Sequence, residues 1–336
     1  MVIYNHLQRS GLQEFGILIP IEDLRAEKTY KSLLQDNILG DLWKIWDLSF
    51  DPVEISRSDL ELCHSQEYVR SLYTPELENK IIAAFELVDY AGGYHRYDPG
   101  KALSPLSDLR DWILRKAGGS VQCLYNALET GFCFYTEGGM HHGHIDYGSG
   151  FCLINDIVLA ARKAQKERGL KNLWILDVDA HKGDGTAHMC QFDQSIVTLS
   201  IHMGNGWPLD CGEVLSNGAI NPAFIPSDID IPVFRGEDSA YVSKLAEGLE
   251  KLSSYPKPDA AIVVMGVDPY EKDLLPSAAG LQLTAEQMLE RDMLVYDFLD
   301  SLNIPAAYLM AGGYGPHSWE VYAAFLKTVL PIRIGL

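Results

Sequence analysis

Four short, almost uninterrupted apolar runs rich in β-branched residues punctuate the second half of the chain: LWILDVDAH (173–181), SIVTLSIH (195–202), AAIVVMGVD (260–268) and PAAYLMAGG (305–313). Runs of this length without polar alternation predict strands buried on both faces. Between them lie longer stretches with a period near 3.6 residues. FCLINDIVLAARKAQKERG (151–169) puts Phe151, Ile154, Ile157, Val158 and Ala161 on one face, ends in basic residues and is followed by Gly169, which predicts a helix. A second helix is predicted from Thr284, which forms a capping box with Gln287, to about Leu302, and a third over HSWEVYAAFLKTVL (317–330). Alternating strands and helices predict an α/β fold with a central, mainly parallel sheet and helices on both faces, a three-layer arrangement. Before about residue 115 the pattern is weaker. It predicts an edge strand at Met1–Tyr4, helices over 22–36 and 76–90, and a long loop over 91–105. No repeat, linker or low-complexity tract divides the chain, so residues 1–336 read as a single domain.

Composition narrows the function. The 336 residues are 47% hydrophobic and 22% charged, enough for a large core. The net charge is −19, from 27 basic and 46 acidic residues, which repels phosphate backbones and excludes nucleic acid as a direct ligand. It would attract cationic substrates such as amines or lysine-rich tails, and it also serves solubility. Cys63, Cys123, Cys133, Cys152, Cys190 and Cys211 form no CxxC pair and read as reduced thiols of a cytoplasmic protein. The sequence shows no signal peptide and no apolar run of the roughly 18 residues that a membrane span needs. Nothing in it sets an oligomeric state.

The chemistry sits at the strand ends. Three of the four apolar runs finish in reactive polar residues: Asp177, Asp179 and His181, then His202, then Asp268. The fourth runs into Gly312-Gly313-Tyr314. Open α/β sheets bind ligands outside the carboxyl ends of their strands, so several polar ends point to one convergent site. Asp179 and His181 are two apart and share a face on an extended chain. With Asp268 they make three ligands for a divalent metal, leaving a position open for water and substrate. A lone D-x-H is more often a capped turn beside a core histidine, but Gly183-Asp184-Gly185 forces a tight loop directly behind it. EGGMHHGH (137–144) carries the adjacent pair His141 and His142, suited to proton transfer, with Asp177 and Asp184 as spare acids to fix their tautomers. The alternative for that segment is an adventitious HHxH metal site. In MAGGYG (310–315), Tyr314 is either an oxyanion donor or a packed turn residue.

Together GGMHHG (138–143), GSGFCLINDIVLA (148–160), ILDVDAHKGDG (175–185), VTLSIH (197–202), GVDPYEKD (266–273) and AGGYG (311–315) resemble the histone deacetylase family in its broad sense, with its acetoin-utilisation and acetylpolyamine amidohydrolase branches. Their order and spacing fit over roughly 110–336 and point to a bacterial member; HSQEYV (64–69) and IEDLRA (21–26) match more weakly. The resemblance implies an arginase-like fold with one Zn2+, or Fe2+, on Asp179, His181 and Asp268. It places His141 and His142 on the histidine pair, Asp177 and Asp184 on their carboxylate partners, and Tyr314 on the carbonyl-polarising tyrosine. Gly150, Phe151, Trp207, Leu275 and Gly313 fall on the substrate tunnel, and Arg25 on the acetate pocket. A structural K+ is implied near Asp177, Asp179, His181, Ser200 and Ile201. The chain departs from the usual pattern at Lys182, where many members have a second histidine, at Ala311, where glycine is common, and at Leu274-Leu275-Pro276 on the rim.

The implied reaction is hydrolysis of an N-acyl amide, acetyl-lysine in proteins or peptides. The same chemistry on a small acetylated polyamine is the nearest alternative. Two others are a dimanganese ureohydrolase, whose D-A-H-x-D element meets Gly183 here, and a non-catalytic acyl-lysine binder. Apolar Leu275 at the rim favours lysine over polyamine, although Glu271 or Asp273 would supply a charge if that loop folds inward.

Overall fold

The structure is a computed structural model that describes residues 1–6, 11–19, 21, 24–89, 91–209, 214–215, 217–219, 221 and 224–336. Cys211 therefore lies outside the described residues, as do residues 22, 23 and 90 of two predicted helices. Eight strands form one sheet: β1 (Val2–Ile3), β2 (Asp47–Leu48), β3 (Phe132–Tyr135), β4 (Leu173–Asp177), β5 (Ile196–Met203), β6 (Ile229–Val233), β7 (Ala260–Val264) and β8 (Ala306–Leu309). Their order is β2-β1-β3-β8-β7-β4-β5-β6. Every pairing is parallel, so the sheet is wholly rather than mainly so.

Alternate residues of the central strands feed two separate cores. Trp174 and Leu176 join the cluster under helices Arg25–Leu34, Tyr241–Leu252, Ala285–Ser301 and Ser318–Arg333. Leu173 and Ile175 join the opposite cluster, under helices Leu77–Ala84, Leu109–Thr130 and Asp156–Arg168. Apolar side chains on both faces of β4 are the physical reason it reads as a continuous hydrophobic run.

Three sequence expectations need correction. Met1–Tyr4 is not at the sheet edge, because β2 pairs with β1 on its outer side. The helix predicted over 151–169 starts only at Asp156. Gly150 and Phe151 take left-handed φ angles of 52° and 66°, and the Asn155 side chain caps Val158 N at 2.9 Å. The helix predicted over 76–90 ends at Ala84, where Glu86 follows with φ 53°. The capping box of Thr284 and Gln287 forms as predicted, opening Ala285–Ser301.

Candidate active site

Four neighbouring strands, β3, β8, β7 and β4, deliver their carboxyl ends to one place. Past β4 the chain turns sharply through Asp177, Asp179 and His181. Asp177 Oδ1 accepts from Asp179 N at 3.1 Å, and Asp179 Oδ1 accepts from His181 N at 3.0 Å. Past β7, Asp268 Oδ1 accepts from Ala180 N at 2.9 Å, which ties the two strand ends together. Arg291, wholly buried on the helix behind, donates to Val178 O at 3.0 Å and Gly266 O at 2.8 Å. One guanidinium thus fixes the backbones beside Asp179 and Asp268.

One potential ligand atom each from Asp179, His181 and Asp268 lies within 4.8 Å of the others, and all three residues are buried. Oδ2 of Asp179 has no hydrogen-bond partner, and Oδ2 of Asp268 has the His181 ring nitrogen Nδ1 at 2.9 Å but no well-aligned hydrogen bond. Two buried carboxylates that share one imidazole nitrogen, with Asp179 Oδ2 left unpartnered, are costly unless a cation compensates them. Glycines enclose the same point: a Cβ on Gly266 would sit 1.8 Å from Asp179 Oδ2, and one on Gly312 2.5 Å from it. The residues present therefore fit a single divalent ion. They do not fit a second one bridged from position 183, since a Cβ on Gly183 would lie 2.3 Å from Asp177 Oδ2.

The two adjacent histidines follow β3. His141 Nδ1 is 2.7 Å from Asp177 Oδ2, and His142 Nδ1 is 2.6 Å from Asp184 Oδ1. Their environments separate them. Burial works against a charge on His141, but Asp177 and Asp179 outweigh it and raise its pKa to about 9. Burial and the neighbouring His141 charge lower that of His142 to about 4, against the pull of Asp184. A charged His141 beside a neutral His142 is the division of labour expected for an electrostatic partner and a base.

Asp156, a residue the sequence analysis treated only as part of a helix, holds this loop. Its carboxylate accepts from Gly139 N at 3.1 Å, Met140 N at 2.6 Å and the Ser120 hydroxyl. Gly138 and Gly139 take φ angles of 81° and 82° so that the chain can wrap it. No signal in the sequence marked it: in a helix read from Phe151, Asp156 falls opposite the apolar face, and only the later start at Asp156 turns it to the loop.

A cavity of about 280 Å³ reaches this centre. Gly150, Phe151, Trp207, Leu275, Arg25 and Tyr314 all line it. The Phe151 and Tyr314 rings are 6.2 Å apart, and Trp207 stands 4.5 Å from His142 and 5.5 Å from His181. Gly150 leaves room for both, as a Cβ there would meet Trp207 at 2.3 Å and His142 at 2.6 Å. Gly313 is not among the lining residues. Its carbonyl accepts from Arg25 Nη1 at 2.7 Å, while Arg25 Nη2 reaches Ala311 O at 2.5 Å. Ala311 adopts φ 52°, strained for an alanine, and this bonded frame holds it there.

The loop after Asp268 does not present Asp273 to the rim. Asp273 accepts from Tyr314 N at 2.6 Å and Leu275 N at 2.8 Å, so it braces the tyrosine loop. Glu271 is exposed. Ser200 pairs in register with Asp177 across β5 and β4, and its hydroxyl lies 3.0 Å from His202 Nδ1; Ile201 follows in β5. Lys182 is buried against Asp230, with its Nζ 3.0 Å from Ser227 Oγ.

Fold and site together define a parallel α/β protein whose strand ends bring Asp179, His181 and Asp268 together beside the adjacent histidines His141 and His142. The chain matches the family model of the histone deacetylase domain over residues 20–329. It is 31% identical over 266 residues to an uncharacterized protein of Picosynechococcus sp., covering 79% of this chain and 78% of that one. It is 26% identical to Histone deacetylase 2 of Arabidopsis thaliana, over 98% of this chain and 78% of the relative. The crystal structure of the HDA15 HD domain superposes with a TM-score of 0.67 at 18% identity, covering 100% of this chain and 91% of that one. The chain belongs to the histone deacetylase family and has its fold; it is a deacetylase, a hydrolase whose substrates are acetylated. Among the described residues no helix is long and apolar enough to cross a membrane.

Proposed function

We propose that residues 1–336 form one catalytic domain that removes acetyl groups from the ε-amine of lysine in proteins or peptides, using one divalent ion, zinc or iron, on Asp179, His181 and Asp268. The observation that carries this reading is the buried cluster of Asp179, His181 and Asp268, in which two carboxylates share one imidazole and Asp179 Oδ2 is unpartnered, at the end of a cavity lined by His141, His142 and Tyr314. When bound, the ion would polarise the amide carbonyl and acidify a water. His142 Nε2, left bare because Nδ1 faces Asp184, takes the proton from that water and then returns it to the departing amine. His141, charged and held by Asp177, steadies the developing negative charge. Tyr314 donates its hydroxyl hydrogen to the oxyanion, and burial holds its pKa well above the usual tyrosine value, so the donor stays protonated. Arg25 fixes the tyrosine loop through the Gly313 and Ala311 carbonyls. A structural K+ near Asp177, Asp179, His181, Ser200 and Ile201 belongs to the same proposal. The register that sets Ser200 beside Asp177 supports it.

Tyr314→Phe should lower kcat about 10²–10³-fold with metal content unchanged, the usual cost of one oxyanion donor. Steady-state kinetics beside elemental analysis checks this, and unchanged turnover would remove Tyr314 from the mechanism.

The rim decides between lysine and polyamine. Leu275 is apolar, Asp273 is spent on Tyr314 N and Leu275 N, and Phe151 and Trp207 flank the entrance with aromatic surface that suits a methylene stem. Among the described residues the carboxylates other than Asp179 that line the cavity, Glu86 and Glu137, are already paired with Arg96 and Lys116, so a second ammonium would have to displace one of these cations to offset its desolvation. kcat/KM is therefore expected to be at least about tenfold higher on acetyl-lysine peptides than on acetylputrescine or acetylspermidine, a difference of about 1.4 kcal/mol. Assay of both substrate sets on one preparation tests the reading, and a tenfold preference for an acetylpolyamine overturns it.

A further inference from the structure

The third histidine of HHGH has no part in the mechanism above, yet it is buried against it. His144 is 2% exposed, and its Nε2 lies 3.2 Å from Asp184 Oδ2, the oxygen that His142 does not use. Its Nδ1 faces His188 Nδ1 at 3.1 Å. Tyr147 stacks on its ring with centroids 4.3 Å apart, and His64 Nδ1 donates to its carbonyl at 2.9 Å. Ring and backbone are thus both held in place.

The hydrogens along this row follow from the partners. Ionised Asp184 can only accept, so His142 donates from Nδ1 and His144 from Nε2. With Nε2 donating to Asp184, His144 Nδ1 faces His188 Nδ1, and the two nitrogens share one hydrogen between the rings. The carboxylate also accepts from Gly185 N at 2.9 Å on the Oδ1 side. Without His144, Oδ2 would have no donor among the described residues, and only the two donors on Oδ1, His142 Nδ1 and Gly185 N, would set the rotation of the carboxylate about χ2.

We infer that His144 is a positioning residue for His142. It acts through Asp184, pinning Oδ2 so that Oδ1 holds the His142 tautomer with a bare Nε2, and His188 sets the tautomer in which His144 does this. The inference rests on the reading of His142 as the proton-transfer group. Outer partners of this kind change activity about 10–100-fold when removed.

The test compares His144→Leu, which removes the donor, with His144→Gln, whose amide nitrogen can occupy the place of Nε2. Both are measured in the wild-type and in the Asp184→Asn background, with metal content. His144→Leu should lower kcat about tenfold, with KM within about twofold and metal retained, and His144→Gln should recover most of that loss. In the Asp184→Asn background His144→Leu should cost less than about twofold more, because the group it acts through has been altered. Should His144→Leu fail to fold, His188→Leu and His188→Asn carry the comparison, with the loss expected only in the leucine variant. Equal impairment in Leu and Gln, no loss in either, or an undiminished loss in the Asp184→Asn background overturns the inference. Near-wild-type turnover of His142→Ala would instead overturn the reading it rests on.

Discussion

Asp179→Ala is expected to lose bound metal and hydrolysis together. Asp179 offers a buried, unpartnered oxygen to the centre, while its other oxygen shapes the turn that carries His181. Removing it leaves His181 and Asp268 as two ligands where a catalytic ion needs three. It also leaves His141, which draws its charge from Asp177 and Asp179, with a weaker field. Elemental analysis of the purified variant should show far less than one divalent ion per chain, against one in the wild type, and acetate release should fall to background. Full metal content in the variant would place the ion elsewhere. Two tightly held ions per wild-type chain would overturn the single-metal reading.

His142→Ala should separate metal from chemistry. Its imidazole touches none of the three ligands through a hydrogen bond, so metal content is expected to stay at one per chain, while kcat falls about 10²–10⁴-fold, the contribution of a positioned general acid–base. Turnover close to wild type would show that another group moves the proton. Acetate release combined with metal analysis on the same samples distinguishes this variant from Asp179→Ala, which loses both.

The strand ends were legible in the sequence because burial on both faces leaves a continuous apolar run that a polar residue breaks; those ending β4 and β7 face the site, whereas His202 of β5 is buried against Ser200 and does not line the cavity. Asp177, Asp179, His181 and Asp268 were visible on those grounds alone; the assignment of Tyr314 and the rim drew on the family resemblance. Other elements lacked a signal. Helix Leu109–Thr130 was missed because Gly118 and Gly119 interrupt its pattern. They do so where the backbone packs so closely that a Cβ would lie 2.1 Å from Val53 O and 2.3 Å from the Tyr135 ring. β3 is four residues long and β6 contains Pro232, so neither gives a clear period. Asp156, Asp273 and Arg291 act on backbone amides or carbonyls far along the chain. A sequence records such a residue but not the loop that folds onto it.

Gly183 sets a limit on how this active site can evolve. A side chain at that position would collide with the Asp177 carboxylate and would lie 3.6 Å, at its Cβ, from His141 Nδ1. A bridging carboxylate for a second ion thus requires concerted displacement of the acid and histidine that support proton transfer. Dinuclear chemistry on this scaffold lies more than one substitution away, and the intermediate sequences would pass through a disrupted histidine–aspartate pair. On the proposed single-ion reading, diversification is directed to the rim, where the Leu275 side chain can change while Asp273 goes on bracing the Tyr314 loop.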